Sequence, residues 1–209
     1  VDPDVDRLAL INEDGSFFGE EYTLVSVADY VLSKTPGNTA SNLSSTRALK
    51  DITESYGMKY FASAVGEVNV VKVMKENHCI IGGEGNGGVI FPGLHYGRDA
   101  LAGIALFLSS LAEKGMHATE LKQSFPQYTI IKEKIQLNDN LDFTGIVNVI
   151  KSRFADKPLN ESDGIKIDFD DGWVHLRKSN TEPIIRLYAE GKDEQAAGHF
   201  ADLVRKVIR

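Results

Sequence analysis

Cys79-Ile80-Ile81-Gly82-Gly83-Glu84-Gly85-Asn86-Gly87-Gly88-Val89-Ile90-Phe91 runs from one apolar triplet, through five glycines in seven residues, to a second apolar triplet. The first triplet reads as a buried strand and the second as another strand, with a loop between them whose backbone reaches conformations closed to other residues. The spacing of the glycines, and a strand where a helix would have to follow, exclude the dinucleotide-binding fingerprint. Glu84 and Asn86 are the side chains of the loop able to make several hydrogen bonds. A carboxylate beside an amide suits sugar hydroxyls, and a plain flexible hairpin is the structural alternative.

On the amino-terminal side, apolar positions at helical spacing predict a helix from Glu20 to Ser33, stopped by Pro36-Gly37. A second helix is expected from about Thr46 to Tyr56, with the preceding serines read as caps, then a strand over Met58–Ala62 and a helix carrying Val68, Val71, Val73 and Met74. Leu8–Ile11, the turn Glu13-Asp14-Gly15 and Ser16-Phe17-Phe18 read as strand, turn, strand. On the other side, Asp99 caps an apolar helix from about Ala100 to Glu113, closed by Gly115. This alternation describes an α/β layer domain with a mixed sheet over 8–125.

From Tyr128 the pattern changes. Tyr128–Leu137 alternates as a strand, Phe143–Phe154 is helical, and Asp170-Asp171-Gly172 turns a hairpin between Gly164–Phe169 and Trp173–Arg177. Ile184–Glu190 is a further strand, and Glu194–Ile208 closes the chain as a helix. Residues 128–209 therefore read as an α+β domain, an antiparallel sheet with helices on one side.

Two more stretches carry chemistry. In Val1-Asp2-Pro3-Asp4-Val5-Asp6-Arg7, three carboxylates alternate with uncharged residues and can converge on one point. Such a point suits a hard divalent cation, magnesium above all if water or a phosphate completes the shell, and Arg7 suits a phosphate oxygen beside it. A solvated acidic segment is the alternative. In Arg177-Lys178-Ser179-Asn180-Thr181-Glu182-Pro183, a guanidinium, two hydroxyls and an amide beside turn-prone N–H groups form a phosphate cradle. Arg186 either reinforces it or pairs with Glu190. The 209 residues carry a net charge of −7, which argues against a general nucleic-acid or anionic-membrane binder. One cysteine, Cys79, and no apolar run of membrane-spanning length point to a soluble chain in a reducing, cytoplasmic setting.

Asp-x-Asp-x-Asp-Arg, Gly-Glu-x-x-Gly and Arg-x-Ser-Asn-Thr-x-Pro, in that order, resemble the α-D-phosphohexomutases, the phosphoglucomutase and phosphomannomutase superfamily. The resemblance covers the whole chain and implies a metal-loop remnant at 1–7, the family's third domain at 8–125 and its fourth, TATA-binding-protein-like domain at 128–209, with the amino-terminal domains missing. It implies that Asp2, Asp4 and Asp6 hold Mg2+ and that Arg7 lies near the transferring phosphoryl group. It further implies that Glu84 and Asn86 contact sugar hydroxyls, while Arg177, Ser179, Asn180 and Thr181 grip the phosphate that stays in place. The implied activity moves a phosphoryl group between the 1- and 6-positions of a hexose phosphate through a phosphoserine and a bisphosphorylated sugar. The phosphoserine segment is absent here, and Thr39-Ala40-Ser41-Asn42 only imitates its start, so the isolated chain is expected to be inactive. Asn86 and Gly88 replace the family's usual serine and histidine and leave the sugar open, while Val65-Gly66-Glu67 resembles the phosphoglucosamine branch. A non-catalytic sugar-phosphate-binding module is the alternative of another class.

Overall fold

The computed structural model describes residues 1–136, 142–179 and 181–208. They form two compact units, Val1–Gln127 and Tyr128–Arg209. In the first, helix α1 (Glu20–Lys34) precedes strand β1 (Asn38–Asn42), α2 (Ala48–Ser55), β2 (Tyr60–Ser63), α3 (Glu67–Glu76), β3 (Cys79–Glu84), β4 (Gly88–Ile90), α4 (Ala100–Lys114) and α5 (Ala118–Gln123). The sheet order is β2-β1-β3-β4, parallel except for β4, which returns antiparallel along β3.

Successive strand residues face opposite sides of a sheet, so neighbouring positions reveal what covers each face. A Cβ on Gly82 would strike the sulfur of Met74 on α3, whereas one on Gly83 would meet Leu24 on α1. The two helices therefore lie on opposite faces, a three-layer α/β/α arrangement. Cys79 and Ile81 of the β3 strand between them are buried. Asp99 accepts a hydrogen bond from the Ala102 amide and caps α4, and Gly115 closes it in the left-handed conformation.

One strand had no signal in the sequence, and two expectations are corrected. Residues 38–42 form the strand β1 beside β3, although the polar run Asn38-Thr39-Ala40-Ser41-Asn42 has no strand-like apolar pattern. Its side chains are buried but satisfied by other polar groups, as in the hydrogen bond between the Thr39 and Thr53 hydroxyls (2.6 Å). The serines before α2 do not cap it: its N-cap is Arg47, without a side-chain cap bond. Finally, Leu8–Ile11 and Ser16–Phe18 pair only through an isolated bridge between Ile11 and Phe17, because Leu8 hydrogen-bonds the glycine loop (N to Gly87 O, 3.0 Å).

The second unit contains β5 (Thr129–Gln136), α6 (Phe143–Arg153), β6 (Leu159–Asn160), β7 (Ile165–Phe169), β8 (Gly172–Lys178), β9 (Ile184–Gly191) and α7 (Glu194–Ile208). The sheet is antiparallel throughout, in the order β5-β9-β8-β7-β6. Val174, Leu176, Ile185, Leu187 and Ala189 pack against Ile150 of α6 and Phe200, Ala201 and Val204 of α7. Trp173, His175 and Arg177 alternate with the first two and so occupy the other face, where all three are buried. The edge strand β6 was missed because two residues carry no periodicity.

Candidate functional site

The amino-terminal carboxylates are drawn together by their own backbone. Asp2 Oδ1 accepts from the amides of Asp6 (3.1 Å) and Arg7 (3.0 Å), and the Val5 amide bonds the Asp2 carbonyl (3.1 Å). This tight turn places Val5 at φ 59°, a left-handed conformation that a β-branched residue rarely adopts. As a result, one oxygen each from Asp2, Asp4 and Asp6 lies within 4.8 Å of the others. Burial and the facing Asp2 carboxyl push the Asp6 carboxyl upward. For Asp2, burial acts in the same direction but is outweighed, chiefly by the Arg7 amide, and the group is lowered. Asp6 Oδ1 is buried with no hydrogen-bond donor. Crowded hard oxygens, one of them orphaned, fit a divalent cation. Arg7 is half exposed, with Nε 3.7 Å from Asp2 Oδ2 and 3.8 Å from Asp6 Oδ1.

The glycine loop sits directly against this segment, with Arg7 bridged to Gly88. Gly87, at φ 86°, could not carry a side chain, since a Cβ would fall 2.4 Å from the Leu8 carbonyl. Glu84 is only 4% exposed and already committed. Its Oε1 accepts from Asn42 Nδ2 (2.8 Å) and the Gly66 amide (3.1 Å), and its Oε2 accepts from Arg98 (2.8 Å). Asn42 in turn orders Ser44 and Ser45, and the Ser45 hydroxyl accepts from the Gly85 amide (2.9 Å). The serines read as caps thus brace the loop, at the carboxyl ends of the parallel strands β1 and β3 where α/β sheets bear their ligands. Asn86 is partly exposed, and its Oδ1 accepts from the Gly88 amide (3.2 Å).

Arg98 was not singled out in the sequence. Its guanidinium lies 2.5 Å from Asp6 Oδ2, 2.8 Å from Glu84 Oε2 and 3.4 Å from Glu67 Oε2, with the side chain 13% exposed. An arginine immediately before the capping Asp99 was the available signal, but only the fold shows which carboxylates reach it.

In the second unit, Arg177 is 5% exposed and donates from Nε to Asp163 Oδ2 (2.8 Å). The Ser179 amide bonds the Ile184 carbonyl (2.9 Å), and its hydroxyl accepts from the amides of Thr181 (3.4 Å) and Glu182 (3.3 Å). Ser179 therefore closes the turn while Thr181 is exposed at its tip. Asn180 lies outside the described residues. Arg186 pairs with Glu182 (2.6 Å), not with Glu190, which accepts from the Trp173 indole (2.7 Å). The β8–β9 register explains this, since Glu190 lies opposite Trp173 and Arg186 opposite Arg177. His175 Nε2 meets the Asp163 carbonyl at 2.6 Å, and since a carbonyl only accepts, that nitrogen carries the proton. Burial pushes His175 down to about 4.

A three-layer α/β/α unit bearing a carboxylate cluster and a polar glycine loop, followed by an antiparallel sheet bearing a hydroxyl-rich turn, defines a two-unit α/β protein. Residues 19–128 match the family described as phosphoglucomutase/phosphomannomutase, alpha/beta/alpha domain III, and residues 133–207 match its C-terminal domain. The chain belongs to the phosphoglucomutase/phosphomannomutase family. It is similar to a phosphoglucomutase/phosphomannomutase of Thermococcus kodakarensis (36% identity over 99% of this chain and 46% of that protein). It is also similar to a protein of Methanopyrus kandleri named "Probable phosphoglucosamine mutase" (31%, over 99% and 47%). The chain thus spans about half the length of these relatives. A crystal structure of a family protein from Burkholderia thailandensis has the same fold, with a TM-score of 0.81 at 24% identity, over 98% of this chain and 44% of that one. No described helix is long and apolar enough to cross a membrane.

Proposed function

We propose that this chain is the metal-, sugar- and phosphate-recognising part of a cytoplasmic phosphohexomutase that moves a phosphoryl group between the 1- and 6-positions of a hexose phosphate. The observation that carries the reading is the convergence of Asp2, Asp4 and Asp6 within 4.8 Å, beside a glycine loop to which they are tied through Arg98. Asp2, Asp4 and Asp6 would hold Mg2+, which when bound offsets charge on a transferring phosphoryl group. Arg7, half exposed beside them, supplies a second cation for a phosphoryl oxygen.

In the loop as it stands, Asn86 is partly exposed and offers an amide to sugar hydroxyls. Glu84 reaches a sugar only by exchanging Asn42 or Arg98 for a hydroxyl, which can donate to the same oxygen. In the second unit, Arg177, Ser179, Asn180 and Thr181 hold the phosphate that is not transferred and so orient the sugar. Phosphoglucosamine is the second candidate substrate, supported by the name of the Methanopyrus relative.

Turnover requires a phosphorylated nucleophile beside the metal. Ser41, Ser44 and Ser45 are buried, and Ser45 braces the loop, so none serves. The chain alone should therefore show no mutase activity with glucose 1,6-bisphosphate present; turnover would refute this assignment. Titration with Mn2+ should show one site in the chain that Asp4→Asn weakens strongly without altering stability, Asp4 being exposed. Arg177→Ala should cost about 1.5 to 3 kcal/mol in glucose 6-phosphate affinity. Unchanged affinity in Arg177→Ala would leave a non-catalytic module with another phosphate site as the better reading.

A further inference from the structure

We propose that Arg98 is a positioning residue that locks the carboxylate segment to the glycine loop, so that the geometry of Asp6 depends on Glu84 although the two share no hydrogen bond. The inference rests on the reading of Asp2, Asp4 and Asp6 as metal ligands only for its second measurement.

The geometry leaves the guanidinium little choice. Its three nitrogens face Asp6 Oδ2 at 2.5 Å, Glu84 Oε2 at 2.8 Å and Glu67 Oε2 at 3.4 Å, and its own amide donates to Glu67 Oε1 at 2.8 Å. The backbone on either side is tied down as well. The Asp99 amide bonds the Val89 carbonyl (2.9 Å), and the Ala100 amide bonds the Val5 carbonyl (3.1 Å), next to Asp6. A planar fork with fixed donor directions holds several carboxylates in one arrangement, where a single ammonium would serve as a point charge. Arg98 occupies Asp6 Oδ2, while Oδ1 is buried without a hydrogen-bond partner, 3.8 Å from Arg7 Nε. By occupying Glu84 Oε2, it fixes the side chain from which Asn42 and the Gly66 amide also hang. Removing either contact should therefore loosen the other end of the bridge.

The test uses the whole chain as wild type, Glu84→Gln, Arg98→Met, Arg98→Lys and the Glu84→Gln/Arg98→Met double variant. The first measurement is metal-free amide hydrogen exchange at Asp6 and Arg7, whose N–H groups bond Asp2 Oδ1. Arg98→Met should speed it by at least ~10-fold, and Glu84→Gln should speed it measurably, although Glu84 touches neither amide. In the Arg98→Met background, Glu84→Gln should add less than about twofold, because the connection is already cut. Arg98→Lys, which keeps the charge without the fork, should stay closer to Arg98→Met than to wild type.

Mn2+ affinity is the second measurement and should follow the same non-additive pattern. Exchange at Asp6 and Arg7 that ignores Glu84→Gln, effects that multiply independently, or full rescue by Arg98→Lys would each overturn the proposal. A wild-type chain that takes up no Mn2+ would instead overturn the metal reading, leaving the exchange result to judge the bridge. Glu84→Gln retains the shape of the side chain, so the proposal stays open to refutation even if Arg98→Met fails to fold.

Discussion

Acidifying the protein from about pH 7 to about pH 4.5 should destabilise the second unit through one side chain, His175. This imidazole is fully buried on β8, donates to the Asp163 carbonyl, and faces the cations of Lys166 and Arg177. Burial first, then those positive neighbours, lower it from 6.5 to about 4. A histidine held neutral by the fold stabilises it above the unfolded value, and the contribution is lost as pH falls from 6.5 toward the folded value of about 4. At about 1.4 kcal/mol per pH unit, the whole interval is worth roughly 3 kcal/mol, of which about 2 kcal/mol disappears over the proposed range.

The assay is built in. Trp173 is the sole tryptophan and is 1% exposed in the same strand, so its fluorescence reports urea unfolding of this unit. His175→Gln provides the control, because an amide can donate to the same carbonyl but does not titrate. Wild type should lose about 2 kcal/mol more than His175→Gln between the two pH values. Equal losses would mean that His175 is not held neutral by the fold, and the argument would fail. Because Asp163 also holds Arg177, glucose 6-phosphate affinity should fall with stability in wild type and less so in His175→Gln.

Cys79 offers an independent probe of the first unit. Burial pushes its thiol up to about 12, so an aromatic disulfide reagent at about pH 8 should release no thiolate until urea opens the fold. Rapid labelling in native buffer would contradict its burial. Gly87→Ala should destabilise the first unit by about 3 kcal/mol or more, because the added Cβ meets the Leu8 carbonyl and the backbone is at positive φ. Urea unfolding followed by Cys79 accessibility measures the loss, and a value under about 1 kcal/mol would show that the loop has room to shift.

The local geometry of the candidate stretches is encoded nearby because each is short and contiguous. Asp2, Asp4 and Asp6 converge through hydrogen bonds made within six residues of chain, and the turn around Ser179 closes on its own amides. Helices with apolar periodicity, such as α4 with its Asp99 cap and Gly115 stop, announced themselves for the same local reason. The strand β1 was illegible, since its buried positions are polar and satisfied by partners distant in sequence. The pairing of Arg186 likewise depended on register.

By itself, the sequence determined the α/β unit followed by an antiparallel α+β unit, and the three stretches that carry charge, hydroxyls and glycine. Local propensity, periodicity and spacing were sufficient for these. Only the tertiary structure decided that Glu84 is buried with both oxygens taken, that Ser45 braces a loop instead of capping a helix, and that Arg98 joins Asp6 to Glu84. Those facts depend on which polar groups are sealed from water beside one another. Hydrogen bonds and ion pairs between residues 14 to 92 positions apart follow from how the chain folds back on itself, which no local pattern encodes.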